Sequence, residues 1–159
     1  MSKIILVGKA ASGKDHLRKV LEGRGFKYGV SFTTRPPREG EVEGRDYYFL
    51  SEDQFKDLIN NDDMFEYVEF NRWFYGTTKK QFYKTHNLFI MTPMAVNRIS
   101  PIDRKNCFII YLDISDDIRR KRLKERSDSN DSLERRMKAD YEDFKDFKNY
   151  DIRITDPNF

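Results

Sequence analysis

The sequence predicts an α/β fold, a doubly wound core of parallel strands flanked by helices and interrupted by a small sheet-containing subdomain. Three observations carry this. The runs Ile4-Ile5-Leu6-Val7, Leu88-Phe89-Ile90-Met91 and Phe108-Ile109-Ile110-Tyr111-Leu112 are strand-sized and apolar almost throughout, as strands buried on both faces of a parallel sheet are. Helical patterns alternate with them. Residues 33–85 read differently, being rich in polar and aromatic residues and punctuated by Pro36-Pro37, Gly40, Gly44 and Gly76.

In chain order, the first apolar run leads through a glycine-containing loop into a helix over Lys14 to Glu22. The 33–85 insert holds short strand-like pieces around Tyr47-Tyr48-Phe49, Phe65 to Phe70 and Trp73 to Tyr75. Within it Ser51 and Gln54, and then Thr78 and Gln81, have capping-box spacing and predict two short helices. After the strand at Leu88 the spacing predicts helices over Pro93 to Ile99, Ile118 to Arg126 and Leu133 to Phe147, with strands at Phe108 to Leu112 and Ile152 to Ile154. The expected organisation is one domain over 1–159: a core of 1–32, 86–114 and 141–159, the insert 33–85, and a helical segment 115–140.

At 159 residues the chain is large enough for its own core and too short for two ordinary domains. Its 30 basic and 27 acidic residues leave a charge of +3, a weak push toward nucleic acid or anionic membrane. The charged share of 36 % is high, but 13 Phe and 9 Tyr supply the buriable surface that disordered chains lack. Cys107 is the single cysteine and His16 and His86 the only histidines, so neither a disulfide framework nor a Cys/His metal cluster is expected. A reducing cytoplasm is the compartment this predicts. No apolar stretch approaches the ~18 residues of a membrane span, and the N-terminus lacks a signal-peptide core.

Directly after the first strand, Gly8-Lys9-Ala10-Ala11-Ser12-Gly13-Lys14-Asp15 fits the P-loop pattern up to its last position. Between a buried strand and a helix, the loop's backbone N–H groups and the helix N-terminus face one point, where phosphate binds. The expected ATP phosphate-binding positions are Gly8, Ala10, Ala11, Ser12, Gly13, Lys14, Asp15 and His16. The bland alternative is a glycine-rich turn with a solvated lysine. Asp15 stands where the pattern has Ser or Thr. A carboxylate there is a candidate Mg²⁺ ligand and predicts a strict magnesium requirement, because without the ion it repels phosphate.

The stretch Ser31-Phe32-Thr33-Thr34-Arg35-Pro36-Pro37-Arg38-Glu39-Gly40-Glu41-Val42-Glu43-Gly44-Arg45-Asp46-Tyr47-Tyr48-Phe49 closely resembles the substrate-binding signature of the guanylate kinase family. Phe65 to Phe70 and Tyr75-Gly76-Thr77-Thr78 look like the next two family blocks. The resemblance implies a P-loop kinase-type parallel sheet with an inserted mixed-sheet NMP-binding subdomain and a helical lid. It implies phosphoryl transfer from ATP, with Mg²⁺, to GMP or dGMP. By the same resemblance Lys14, Arg35, Arg126 and Arg136 serve catalysis. Arg38, Tyr47 and Tyr75 join Arg35 on the acceptor phosphate, while Glu66, Ser31 and Thr77 meet the base. The residue chemistry agrees in part. Arg35 and Arg38 flank a rigid proline pair, and guanidinium groups bind phosphate bidentately. Glu66 lies in an apolar aromatic segment, where an unpaired carboxylate is costly.

The pattern breaks in three places. Aligned on Met94, Met91 and Pro93 occupy positions where the family has aspartates, and neither side chain accepts a hydrogen bond. The Lys14-Asp15 ending resembles phage deoxynucleoside monophosphate kinases and animal phosphomevalonate kinases. The chain ends at Phe159, where the family continues into a last helix. The rival readings are a catalytically silent binding module of the same fold, a kinase for another (deoxy)nucleoside monophosphate, and a nucleic-acid binder using the basic run Arg119 to Arg126. That last reading is the least favoured, and oligomeric state stays open.

Overall fold

The computed structural model describes residues 2–125 and 130–159, the side chains of 130–132 excepted. In order the elements are β1 (Lys3–Gly8), α1 (Lys14–Gly23), β2 (Phe32–Thr33), β3 (Tyr48–Phe49), α2 (Glu52–Asn60), β4 (Met64–Phe70) and β5 (Trp73–Thr78). A π-helical turn (Gln81–Thr85) follows, then β6 (Leu88–Ile90), α3 (Pro93–Asn97), α4 (Pro101–Arg104), β7 (Cys107–Leu112), α5 (Asp116–Glu125), α6 (Asn130–Phe144) and β8 (Ile152–Ile154).

Four strands, in the order β6-β1-β7-β8, form a wholly parallel sheet. Alternation along β1 explains its continuous apolar sequence. Ile5 and Val7 enter one core layer with Phe89, Ile109, Tyr111, Phe144 and Phe147. Ile4 and Leu6 enter the other, against Leu17 and Leu21 of α1. Both faces are covered, so neither tolerates a polar residue. Beyond β6, Tyr28 makes a single parallel bridge to Leu88, a rudimentary fifth strand with no sequence signal of its own.

The insert forms a mixed sheet of order β3-β2-β5-β4. Its outer face is covered by α2, where Phe55 stacks on Phe74 at 5.2 Å. Ser51 caps α2 in a complete capping box with Gln54, as expected. Thr78 and Gln81 also cap each other, but the segment continues as a π turn instead of an α-helix. That turn packs the insert on the core: Phe82 stacks on Phe65 at 3.7 Å and meets Phe89 at 5.4 Å. The buried Gln81 donates to Val30 O at 2.8 Å.

Helix α6 begins earlier than the sequence pattern predicts and runs unbroken across the expected boundary between residues 140 and 141. Leu133 and Met137 pack with Ala11 and Leu123, whereas Phe144 belongs to the main core. One helix therefore serves both the lid segment and the core.

Candidate active site

Two arrangements face different tasks. The first is a cavity of about 650 Å³ at the C-terminal end of β1. Its lining includes Ala10, Ala11, Ser12, Gly13, Lys14, Asp15 and His16, with Arg122 and Arg136 from the lid helices and Pro157, Asn158 and Phe159. Gly13 begins α1 at φ +98°, and a Cβ there would stand 2.9 Å from the Phe159 ring, so only glycine fits this turn. No side chain caps α1, which leaves its first N–H groups facing the cavity. The Lys14 ammonium curls back to donate to Gly8 O and, at 3.2 Å, to Lys9 O.

Asp15 sits in the first turn of α1 with its side chain 79 % exposed, 3.5 Å from Arg18. Among the described residues no group of three or more acidic, histidine or cysteine side chains gathers as a metal cage. A single exposed carboxylate beside a phosphate-binding loop suits Mg²⁺, which is commonly held by one or two carboxylates plus substrate phosphates. Of the expected positions, Ala10 proves special: its N–H already donates to Asp140 Oδ2 at 2.9 Å. Arg126 lies outside the described residues.

The second arrangement is built by strand register on the insert. Glu66 pairs with Thr77 and Val68 with Tyr75, while Thr33 pairs with Tyr75 from the other side. Continuing that register by one residue sets Ser31 across from Thr77. Cross-strand partners share a face, so Ser31, Glu66, Tyr75 and Thr77 project together. A bulge between Met64 and Glu66 fixes this register, and Gly76 permits it. A Cβ on Gly76 would lie 2.6 Å from Glu66 O and 2.5 Å from Met64 Cε.

Burial pushes the Glu66 carboxyl up to about 7, against the smaller opposing effects of Thr77 and Arg98. Thr77 Oγ1 is buried and has no well-aligned hydrogen-bond partner among the described residues, though it lies close enough to favour the ionised glutamate. This face therefore presents one acid near neutrality and one uncommitted hydroxyl, a set suited to a ligand edge with N–H donors.

Arg35 is 5 % exposed and holds Glu41 bidentately, at 2.8 and 2.9 Å, while its guanidinium lies over the Tyr47 ring at 5.2 Å. The hydrogen bond to Glu41 raises the Arg35 pKa, and the same bond holds the Glu41 carboxyl below its usual range. Tyr47 meets Tyr75 edge-on at 6.0 Å, linking the arginine to the register-built face. Arg38 is exposed, its backbone N–H donating to Glu41 at 2.7 Å.

Sequence reasoning missed Glu41, Asp140 and the tail residues Pro157 to Phe159. It also read Arg119 as one of the basic run Arg119 to Arg126, whereas Arg119 is 1 % exposed. The available signal was spacing: Arg119 and Leu123 stand i, i+4 on one helical face, and that face is the buried one.

A parallel sheet with a phosphate-binding loop between its central strand and first helix, a mixed-sheet insert and an arginine-bearing helical pair define the P-loop kinase class of α/β proteins. The family model described as guanylate kinase matches residues 1–159. The chain is 32 % identical over 161 residues to a guanylate kinase of Latilactobacillus sakei, covering 95 % of this chain and 79 % of that protein. It is 28 % identical over 164 residues to one of Clostridium tetani, covering 95 % and 76 %. The crystal structure of guanylate kinase from Anaplasma phagocytophilum superposes with a TM-score of 0.74 at 23 % identity, over 99 % of this chain and 79 % of that one, and bears on the fold. The chain belongs to the guanylate kinase family.

Proposed function

We propose that the protein is a nucleoside monophosphate kinase that transfers the γ-phosphoryl group of ATP to GMP or dGMP. The observation that carries this is Glu66: a buried carboxyl opposite Thr77, on a face that also presents Tyr75 and, by register, Ser31. An ionised Glu66 accepts from two adjacent N–H donors, which guanine offers at N1 and N2. Tyr47, Tyr75, Arg35 and Arg38 serve the acceptor phosphate, whose oxygens compete with Glu41 for the Arg35 fork.

The acceptor phosphate is already a nucleophile at neutral pH, so catalysis rests on alignment and charge stabilisation. Lys14 exchanges its loop carbonyls for the β and γ phosphates, and Arg136 and Arg126 neutralise charge on the transferring group. Asp15 is the residue that would hold the Mg²⁺ of the nucleotide, and the ion would supply neutralisation of phosphate charge. A cytoplasmic location is part of this reading, since with Cys107 the single cysteine no disulfide framework calls for an oxidising compartment. Among the described residues no helix is long and apolar enough to cross a membrane.

Met91 is buried in the core, Pro93 opens α3, and Thr92 Oγ1 accepts from Ala95 N at 3.2 Å as the cap of that helix. None of the three side chains supplies a second carboxylate for the guanine amino group. The selectivity for GMP over IMP is therefore expected to be ten- to hundredfold weaker than in an aspartate-bearing relative. A coupled assay of ADP formation with GMP, dGMP, IMP and AMP tests both points. No turnover with any of them refutes the kinase reading, and a GMP-to-IMP ratio equal to the relative's refutes the selectivity argument.

A further inference from the structure

The largest fully buried side chain described is a charged one, Arg119 of α5. Its guanidinium donates to Ile114 O at 3.2 Å, to Asp116 at 2.5 Å, to Asp140 Oδ2 at 3.4 Å and to Ala10 O at 3.3 Å. The same Asp140 oxygen accepts from Ala10 N–H at 2.9 Å. Both backbone polar groups of one P-loop residue are thus held by an ion pair formed between the two lid helices. Around it, Ala10, Ala11, Leu123, Leu133 and Met137 form a small apolar cluster that seats the helices on the loop. Neighbouring Ala11 is held at φ +61°, a left-handed conformation that a side-chain-bearing residue adopts only when its surroundings impose it.

We propose that Arg119 and Asp140 are positioning residues that clamp Ala10 so that the phosphate-binding loop takes its binding geometry only when α5 and α6 are seated. This rests on the kinase reading above. A merely structural ion pair would not need to reach the loop. Buried pairs are often replaceable by apolar residues without loss of stability, whereas removing one member strands the other. Here replacement of both leaves the Ala10 N–H and C=O unheld whatever happens to stability. An opposing arrangement, in which Asp140 is an internal anion competing with phosphate for Ala10 N–H, is disfavoured because Arg119 fixes the same oxygen into the floor of the loop.

The test compares wild type, Asp140→Ala, Asp140→Asn and the double variant Arg119→Leu/Asp140→Ala by thermal midpoint, MgATP Kd from calorimetry, and the GMP KM. Asp140→Ala is expected to lower the midpoint and weaken MgATP. The double variant is expected to recover much of the midpoint while its MgATP Kd stays about tenfold above wild type and its GMP KM is unchanged. Wild-type MgATP affinity in the double variant overturns the clamp, as does tighter MgATP binding by Asp140→Ala or a GMP KM that rises in step. If the double variant does not fold, Asp140→Ala decides at a temperature below its own midpoint, with Asp140→Asn as the control that keeps an acceptor for Ala10 N–H: an increase of at least threefold in the MgATP Kd of the Ala variant, with the GMP KM unchanged, supports the clamp, and none overturns it. Failure of wild type to bind MgATP sinks the kinase reading and the clamp with it. Equal binding by wild type and the variants sinks the clamp alone.

Discussion

Replacing Glu66 by Gln should change how stability responds to pH in a direction opposite to ordinary acid denaturation. The carboxyl is buried and sits at about 7 in the fold, against 4.5 for an unperturbed glutamate. Between those values the native state keeps a proton that the unfolded chain has released. Stability from this group is therefore complete below about pH 4.5 and is lost as pH rises through 7. The separation corresponds to about 3 kcal/mol. Depressed carboxylates such as Glu41, held down by Arg35, act the other way, losing stability as pH falls, but they are common to both proteins. The measurement is urea unfolding of ligand-free wild type and Glu66→Gln at intervals from pH 5 to 8. The difference between the two curves should change by about 2.5 kcal/mol over that range, with wild type losing ground as pH rises. GMP binding should strengthen over the same interval, by up to tenfold per unit below pH 7, because only the ionised form accepts from guanine. Parallel stability curves for the two proteins would refute the reasoning.

Lys14→Ala should lower kcat by roughly 10²-fold or more, since a charge at the β and γ phosphates acts most strongly in the transition state, and single-turnover kinetics with GMP checks this. Gly76→Ala forces a Cβ to 2.6 Å from the Glu66 carbonyl, so the mixed sheet must part. It should cost about 1–3 kcal/mol by urea unfolding and raise the GMP KM. Arg35→Lys loses the two-pronged grip and should raise the GMP KM by about tenfold while leaving that for ATP near wild type, read from initial rates.

The parallel core was legible because β1, β6 and β7 are buried on both faces and so carry unbroken apolar sequence. The Ser51 helix start was legible because a capping box is a local signal. The same signal at Thr78 marked where a turn begins and could not say that it widens to a π turn, which depends on Phe82 reaching Phe65 and Phe89. On the site, the phosphate-binding loop was visible as a contiguous motif. Glu66 was singled out by its apolar neighbours, and its relation to Thr77 became visible only through strand register. The Arg35–Glu41 and Arg119–Asp140 pairs were hidden, because a charged residue's partner is set by tertiary placement and its burial can contradict its composition. Arg119 is the plainest case, since a run of basic residues reads as solvated until its helix is seated.

The position of β1 in the sheet sets a constraint during synthesis. Ile5 pairs on one side with Phe89 and on the other with Ile109. This segment therefore waits for roughly 80 further residues before its first neighbour is made and roughly a hundred before its second, about 4–20 s at ordinary translation rates. Meanwhile the β4–β5 hairpin, whose partners are local, closes early. A nascent chain of which the first 80 or so residues have emerged would carry a formed hairpin beside an exposed Ile4-Ile5-Leu6-Val7, the stretch a holding chaperone would recognise.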